Sequence, residues 1–147
     1  MTTTEDAAPI RVRSYAEKDY AGVVALWETV FERDPPWNQP GEMIRVKKMV
    51  QPDLFLVCER DGEIIGTTIA GFDGVRGWVH KVAAAPGWRR QGIAQALMGE
   101  AQRRLRDLGC VKLNLQVRAD NPSAVEFYKA LGFTTEERVS MGKRLID

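Results

Sequence analysis

Cysteine is scarce in this chain: Cys58 and Cys110 are the only two in 147 residues. Neither belongs to a C-x-x-C pair, so a disulfide framework is not expected, and both read as buried free thiols of a reducing compartment. Histidine is scarcer still, with His80 alone, and no metal is expected. Charge of one sign is also missing: 21 Lys and Arg stand against 20 acids, a net of +1. That balance argues against bulk attraction to nucleic acid or to an anionic membrane. No apolar run approaches a membrane span. The start, M-T-T-T-E-D-A-A-P, has neither a basic region nor an apolar core, so it reads as no signal peptide, and the expected location is cytoplasmic. Repeats, low-complexity tracts and linkers are absent. The length suits a single domain over 9–147, with 1–8 read as a flexible terminus.

What is present alternates between strand and helix patterns. Ile10 to Ser14 reads as a first strand, and Val23, Leu26, Trp27 and Val30 give a helix over Ala16 to Phe31. Arg33 to Gly41 holds three prolines and reads as irregular. A second helix is expected over Met43 to Val50. Leu54 to Glu59 and Glu63 to Phe72 flank Asp61-Gly62, a hairpin signal, and Gly77 to Ala84 reads as a fourth strand. Ile93, Leu97, Ala101, Leu105 and Leu108 then form the stripe of a long helix closed by Gly109. Val111 to Val117 alternates as a fifth strand. A strand–helix–strand connection of that length implies a parallel pair with a right-handed crossover. The tail from Phe133 to Leu145 is expected to supply one or two closing strands. The fold class is therefore α/β. A mixed, mostly antiparallel sheet carries a parallel pair at strands four and five, with helices on both faces.

Two segments carry chemistry. In P-G-W-R-R-Q-G-I-A, Pro86 to Ala94, a helix begins at a glycine with no Ser, Thr, Asp or Asn to cap it. A helix start leaves backbone N–H groups free and carries the positive end of the dipole. With Gly92 and Ala94 leaving room and Arg89 or Arg90 adding charge, the turn suits a pyrophosphate. A tight turn whose donors meet water is the alternative reading. Arg103, Arg104 and Arg106, further along, read as a solvated helix face. The second segment, N-P-S-A-V-E-F-Y-K-A-L-G-F, is a short helix capped by Asn121, opened by Pro122 and stopped by Gly132. Its apolar stripe, Ala124, Phe127, Tyr128 and Leu131, turns Tyr128 inward.

In order and spacing, R-x-x-G-x-A after a strand ending in A-x-P, then N-x-x-A-x-x-F-Y-x-x-x-G-F, resembles the GNAT superfamily of acetyl-CoA-dependent N-acetyltransferases. The resemblance covers residue 54 onward, and P-W-N at Trp37 is similar to a small bacterial subgroup. It implies the GNAT fold, with strands four and five splayed apart, and acetyl-CoA as co-substrate. Val82, Ala83 and Ala84 would then meet the pantetheine arm as an added strand, one N–H polarising the thioester carbonyl. Arg89, Arg90, Gln91, Gly92, Ile93 and Ala94 would hold the pyrophosphate, and Asn121 would touch the arm as well as cap its helix. Tyr128 matches the general acid, against the alternative of a core tyrosine.

The base is less defined. Where many relatives carry a glutamate five residues before the asparagine, this chain has Gln116, which takes no proton at neutral pH. His80 matches one of two histidines of the serotonin N-acetyltransferase branch, with Trp78 in place of the other. His80 as a proton relay, His80 as an ordinary strand residue, and deprotonation by solvent all remain open. Trp37, Asn38, Trp78 and Gln116 are candidates for the acceptor pocket. The expected function is transfer of acetyl from acetyl-CoA to a primary amine by direct attack in a ternary complex. A small-molecule amine is the expected acceptor, with a protein N-terminus or a lysine as the alternative. A CoA-binding module without turnover is the rival, and a homodimer is compatible with either.

Overall fold

The computed structural model describes residues 9–32 and 34–146; the expected flexible terminus, 1–8, lies outside them. The chain divides into two compact units, Met1–Leu115 and Gln116–Asp147.

The first unit is a five-stranded sheet in the order β1-β2-β3-β4-β5, with Arg11–Ser14 as β1, Phe55–Arg60 as β2, Glu63–Phe72 as β3, Gly77–Ala84 as β4 and Leu113–Asn114 as β5. The first three pairings are antiparallel and β4–β5 is parallel. The β2–β3 hairpin turns on Asp61 and Gly62, with φ of 52° and 79°, the double left-handed conformation that a two-residue hairpin loop requires. At the next turn the Asp73 carboxylate accepts the N–H groups of Val75 and Arg76 at 2.8 and 2.7 Å.

Helices cover both faces. Tyr20–Val30 (α1) and Pro40–Lys47 (α2) lie on one side, where Val23, Leu26, Trp27 and Ile44 pack with Phe55, Val57, Ile69 and Ala83. Ile93–Asp107 (α3) covers the other, burying Ile93, Leu97, Met98, Ala101 and Leu105. Gly66 permits this close approach, since a Cβ there would stand 2.5 Å from Ile93 Cγ2. An ionic cluster braces the sheet edge. Arg13 pairs with Glu59 and, at 2.7 Å, with the buried carboxylate of Asp19, which also accepts the Ala16 N–H at 2.8 Å.

Several expected boundaries need correction. The first helix opens with a 3-10 turn at Glu17–Asp19 before α1 proper. α2 starts at Pro40, three residues before the expected Met43, and ends at Lys47. Pro40 sits where its missing N–H costs nothing. Leu108 falls beyond α3 and is exposed. The fifth strand shrinks from the expected Val111–Val117 to two residues, because only Gly77 and Trp78 of β4 pair with it. Arg104 is not a solvated side chain: it donates to Ser14 Oγ and to the Asp53 carbonyl, both at 2.6 Å, tying α3 to the β1 edge.

The second unit holds Pro122–Ala130 (α4), ended as expected by a left-handed Gly132 with φ of 98°. The closing strands expected from Phe133 to Leu145 do not form. Val139, Met141 and Leu145 are about nine-tenths exposed; without a ladder partner or a buried face, alternation between polar residues does not make a strand.

Candidate active site

The strand that would face a ligand is bent by a bulge. Thr67 pairs with Ala83 and Ile69 with His80, so Lys81 and Val82 stand opposite Thr68 alone. Lys81 takes φ of 54°, a left-handed conformation for a residue with a Cβ. Two hydroxyls hold the carbonyls freed there: Thr67 Oγ1 donates to Lys81 at 2.9 Å and Thr68 Oγ1 to His80 at 3.4 Å. The buried Trp27 indole in turn donates to Thr67 Oγ1 at 2.8 Å. A bulge bends its strand and ends regular pairing. Within this unit β4 pairs with β5 only at Gly77 and Trp78, leaving Val79 to Ala84, and so Val82, Ala83 and Ala84, without a β5 partner.

β4 runs directly into the glycine turn. A 3-10 turn, Pro86–Trp88, is anchored by Ala85 N–H on the Ile65 carbonyl at 2.8 Å, and the Arg60 guanidinium lies 4.8 Å over the Trp88 ring. Arg90 and Gly92 both adopt positive φ, 65° and 79°. No side chain caps the start of α3 at Gly92, and nothing lies within 4 Å of where a Cβ would be. Arg89, Arg90, Gln91 and Gly92 are exposed, Ala94 is half-buried, and Ile93 is buried against Gly66. The result is an open, positively polarised helix end bordered by two arginines, the geometry that accepts an anion.

His80 is exposed on the α1–α2 face, opposite Ile69. Desolvation of its ring, then the nearby charge of Lys47, lowers its pKa below 6.5. It is therefore neutral at pH 7. Lys47 itself is buried and donates to the Ala70 carbonyl at 2.6 Å. Trp78 is half-buried opposite Gly71.

The irregular segment after α1 forms one wall of a cavity of about 240 Å³, lined by Trp27, Glu28, Phe31, Asp34, Asn38 and Lys81 among others. Asn38 thus joins a pocket, whereas Trp37 is 55% exposed and not part of its lining. Lys81 in this role is not legible from the sequence. Period-two alternation assigns its side chain by its neighbours, and only the bulge turns it toward α1.

In the second unit, Asn121 Oδ1 accepts the Ala124 N–H at 3.2 Å and the Ser123 hydroxyl at 3.0 Å, so its capping role is observed directly. Tyr128 is half-buried, edge-on to Phe127 and Phe133 with centroids 5.0 and 5.7 Å away. Burial lifts its phenol to about 12. The Gln116 amide donates to Ser140 Oγ.

A bent strand, unpaired with β5 beyond Trp78, thus leads directly into a helix start without a side-chain cap. Residues 21–133 match the acetyltransferase (GNAT) family. The chain is 38% identical over 138 residues to an acetyltransferase of Pectobacterium atrosepticum, covering 94% of this chain and 97% of that one. Among solved structures, an aminoglycoside N-acetyltransferase in complex with CoA superposes with a TM-score of 0.76 at 19% identity, covering 95% and 97% of the two chains. Ard1 from Thermoplasma volcanium gives 0.75 at 24%, covering 85% and 82%. This chain belongs to the GNAT acetyltransferase family, and it is an acyltransferase. Among the described residues no helix is long and apolar enough to cross a membrane.

Proposed function

We propose that the chain transfers the acetyl group of acetyl-CoA to a primary amine of a small molecule, by direct attack in a ternary complex. The observation that carries this reading is the uncapped, left-handed Gly92 start of α3, reached from a β4 edge without a partner beyond Trp78. These groups fit the co-substrate: open amides and two exposed arginines suit a pyrophosphate, and a free strand edge suits the amide-rich pantetheine arm. The family match and the CoA complex of a structural neighbour support it. When bound, acetyl-CoA supplies an activated acyl carbon and a thiol leaving group.

The chain's own residues divide the remaining work. Main-chain N–H groups from Gly92 to Ala94 hold the phosphates, with Arg89 and Arg90 adding charge. Val82 to Ala84 offer backbone groups to the arm and a donor to the thioester oxygen. Tyr128 keeps its proton across the physiological range, because burial raises its pKa to about 12. A thiol has a pKa of about 8.5, so full transfer from this phenol is uphill by roughly 5 kcal/mol unless the sulfur is desolvated as well. Tyr128 therefore acts first as a hydrogen-bond donor to the departing sulfur, and the proton follows as charge develops there. Neutral His80 accepts the proton of the acceptor amine, directly or through water. The free thiols Cys58 and Cys110 suit a reducing compartment, and the cytoplasm is the proposed location.

The test is release of CoA thiol across a panel of amines. Amine-dependent release is expected, and Tyr128→Phe should lower kcat by ~10²–10⁴ while CoA affinity stays near wild type. Thiol release from no acceptor, with CoA still bound, would leave a binding module in place of an enzyme. Unchanged kcat in Tyr128→Phe would remove the donor role.

A further inference from the structure

The cavity behind the β4 bulge already contains an ammonium group. Lys81 Nζ lies 4.2 Å from the centroid of the Phe31 ring and 6.0 Å from that of Trp27, and it pairs with the Asp34 carboxylate. Its side chain is only 8% exposed. Aromatic faces and a carboxylate around a cation are the standard means by which proteins recognise alkylammonium groups. Burial lowers the Lys81 pKa to about 8, so at pH 7 the group remains predominantly protonated. Holding it there requires a left-handed backbone at a lysine, φ 54°, stabilised by the Trp27–Thr67 hydrogen-bond chain. Glu28 of α1 and Glu32, just beyond its end, line the same cavity as Asp34.

We infer that this cavity is a recognition subsite for a primary alkylammonium, that Lys81 stands in it as an internal occupant, and that the acceptor is a diamine or polyamine whose anchoring cation competes with Lys81. The second clause follows from chemistry. An amine held between rings and a carboxylate stays protonated and has no lone pair to attack a thioester. An acceptor anchored here must therefore carry another amine that reacts, and Glu28 and Glu32 suit a further positive charge. This identification of the acceptor rests on the acetyl-transfer reading, whereas the subsite itself does not.

The test of the subsite needs no acetyl-CoA. Lys81→Gly removes the occupant and relieves the left-handed strain, leaving a gap shaped for n-butylammonium. The variant should melt below wild type, and n-butylammonium should restore most of the lost melting temperature while n-butanol at the same concentration does not. Lys81→Met, which fills the gap with a side chain of similar length, should show no such rescue. Equal effects of butylammonium and butanol, or equal rescue of the Gly and Met variants, would overturn the subsite. Should Lys81→Gly not fold, 1,4-diaminobutane titrated into the wild-type protein gives the answer through tryptophan fluorescence. A saturable change abolished by Asp34→Asn is expected, and a linear response or one retained in Asp34→Asn contradicts the inference. In turnover assays diamines should exceed monoamines of equal length at least tenfold in kcat/KM. Equal values would refute the acceptor class. Rescue by butylammonium with no thiol release from any amine would uphold the subsite and count against acetyl transfer instead.

Discussion

Gly66 links the packing of the sheet to the proposed phosphate seat, and Gly66→Ala probes both. The added Cβ would come 2.5 Å from Ile93 Cγ2, 3.0 Å from Leu97 Cδ1 and 3.0 Å from the Ala83 carbonyl oxygen. Carbon atoms rest at about 3.5–4.0 Å, so roughly 1 Å must be found. The Ala83 carbonyl belongs to the sheet and yields little, so the displacement falls on Ile93, the first residue of α3. Overpacking of this kind destabilises by about 1–3 kcal/mol. A 1 Å displacement of the helix start is also the scale at which ligand alignment suffers, up to about 10²-fold in catalysis. Urea denaturation should show the stability loss, and calorimetric titration should show weakened CoA binding. Combining Gly66→Ala with Ile93→Ala should shrink both effects, because the clashing methyl group is gone. Full stability in the single variant would refute the packing argument. Reduced stability with wild-type CoA affinity would detach the start of α3 from the phosphate.

Two further outcomes are expected. Arg13→Met leaves the Asp19 carboxylate buried without its partner, and breaking such a pair destabilises by about 3–5 kcal/mol; denaturant midpoints check this, and a loss below about 1 kcal/mol would place the pair among surface interactions. Burial opposes ionisation of Asp19 but the Arg13 hydrogen bond prevails and lowers its pKa, so the wild-type advantage should be complete above the ordinary carboxylate range and fade as pH falls through the lowered value. If neutral His80 takes the proton, the limb it contributes to kcat/KM must rise below pH 6.5, because desolvation and Lys47 depress its pKa. His80→Gln should abolish that limb and leave any rise due to the acceptor amine. An identical pH profile would assign deprotonation to solvent.

Much of this arrangement is legible in the sequence because local chemistry dictates it. Asp61-Gly62 specifies a hairpin, Asn121 specifies a helix start, and the spacing from Ile93 to Leu105 specifies the buried stripe of α3. The family resemblance and the glycine turn were readable for the same reason: both are short, contiguous and strongly constrained. What escaped is set by long-range partners. The length of β5 depends on how far β4 stays alongside, and only Gly77 and Trp78 do so. The tail reads as a strand by alternation, yet no ladder forms there. Helical spacing alone makes Arg104 a surface charge, yet Ser14 and the Asp53 carbonyl, distant in sequence, accept its hydrogen bonds. The ammonium seat was invisible for the most basic reason, since Phe31, Asp34 and Lys81 meet only through a conformation that lysine seldom adopts.

The central claim is that the bare start of α3 at Gly92 holds a pyrophosphate, and comparison of CoA with pantetheine tests it most directly. Calorimetry should find CoA binding orders of magnitude tighter than pantetheine, which lacks the phosphates. Gly92→Glu, placing a carboxylate at the helix start, should erase most of that advantage while leaving pantetheine affinity unchanged. Equal affinities for the two ligands in the wild-type protein, or a CoA advantage that survives Gly92→Glu, would contradict the assignment.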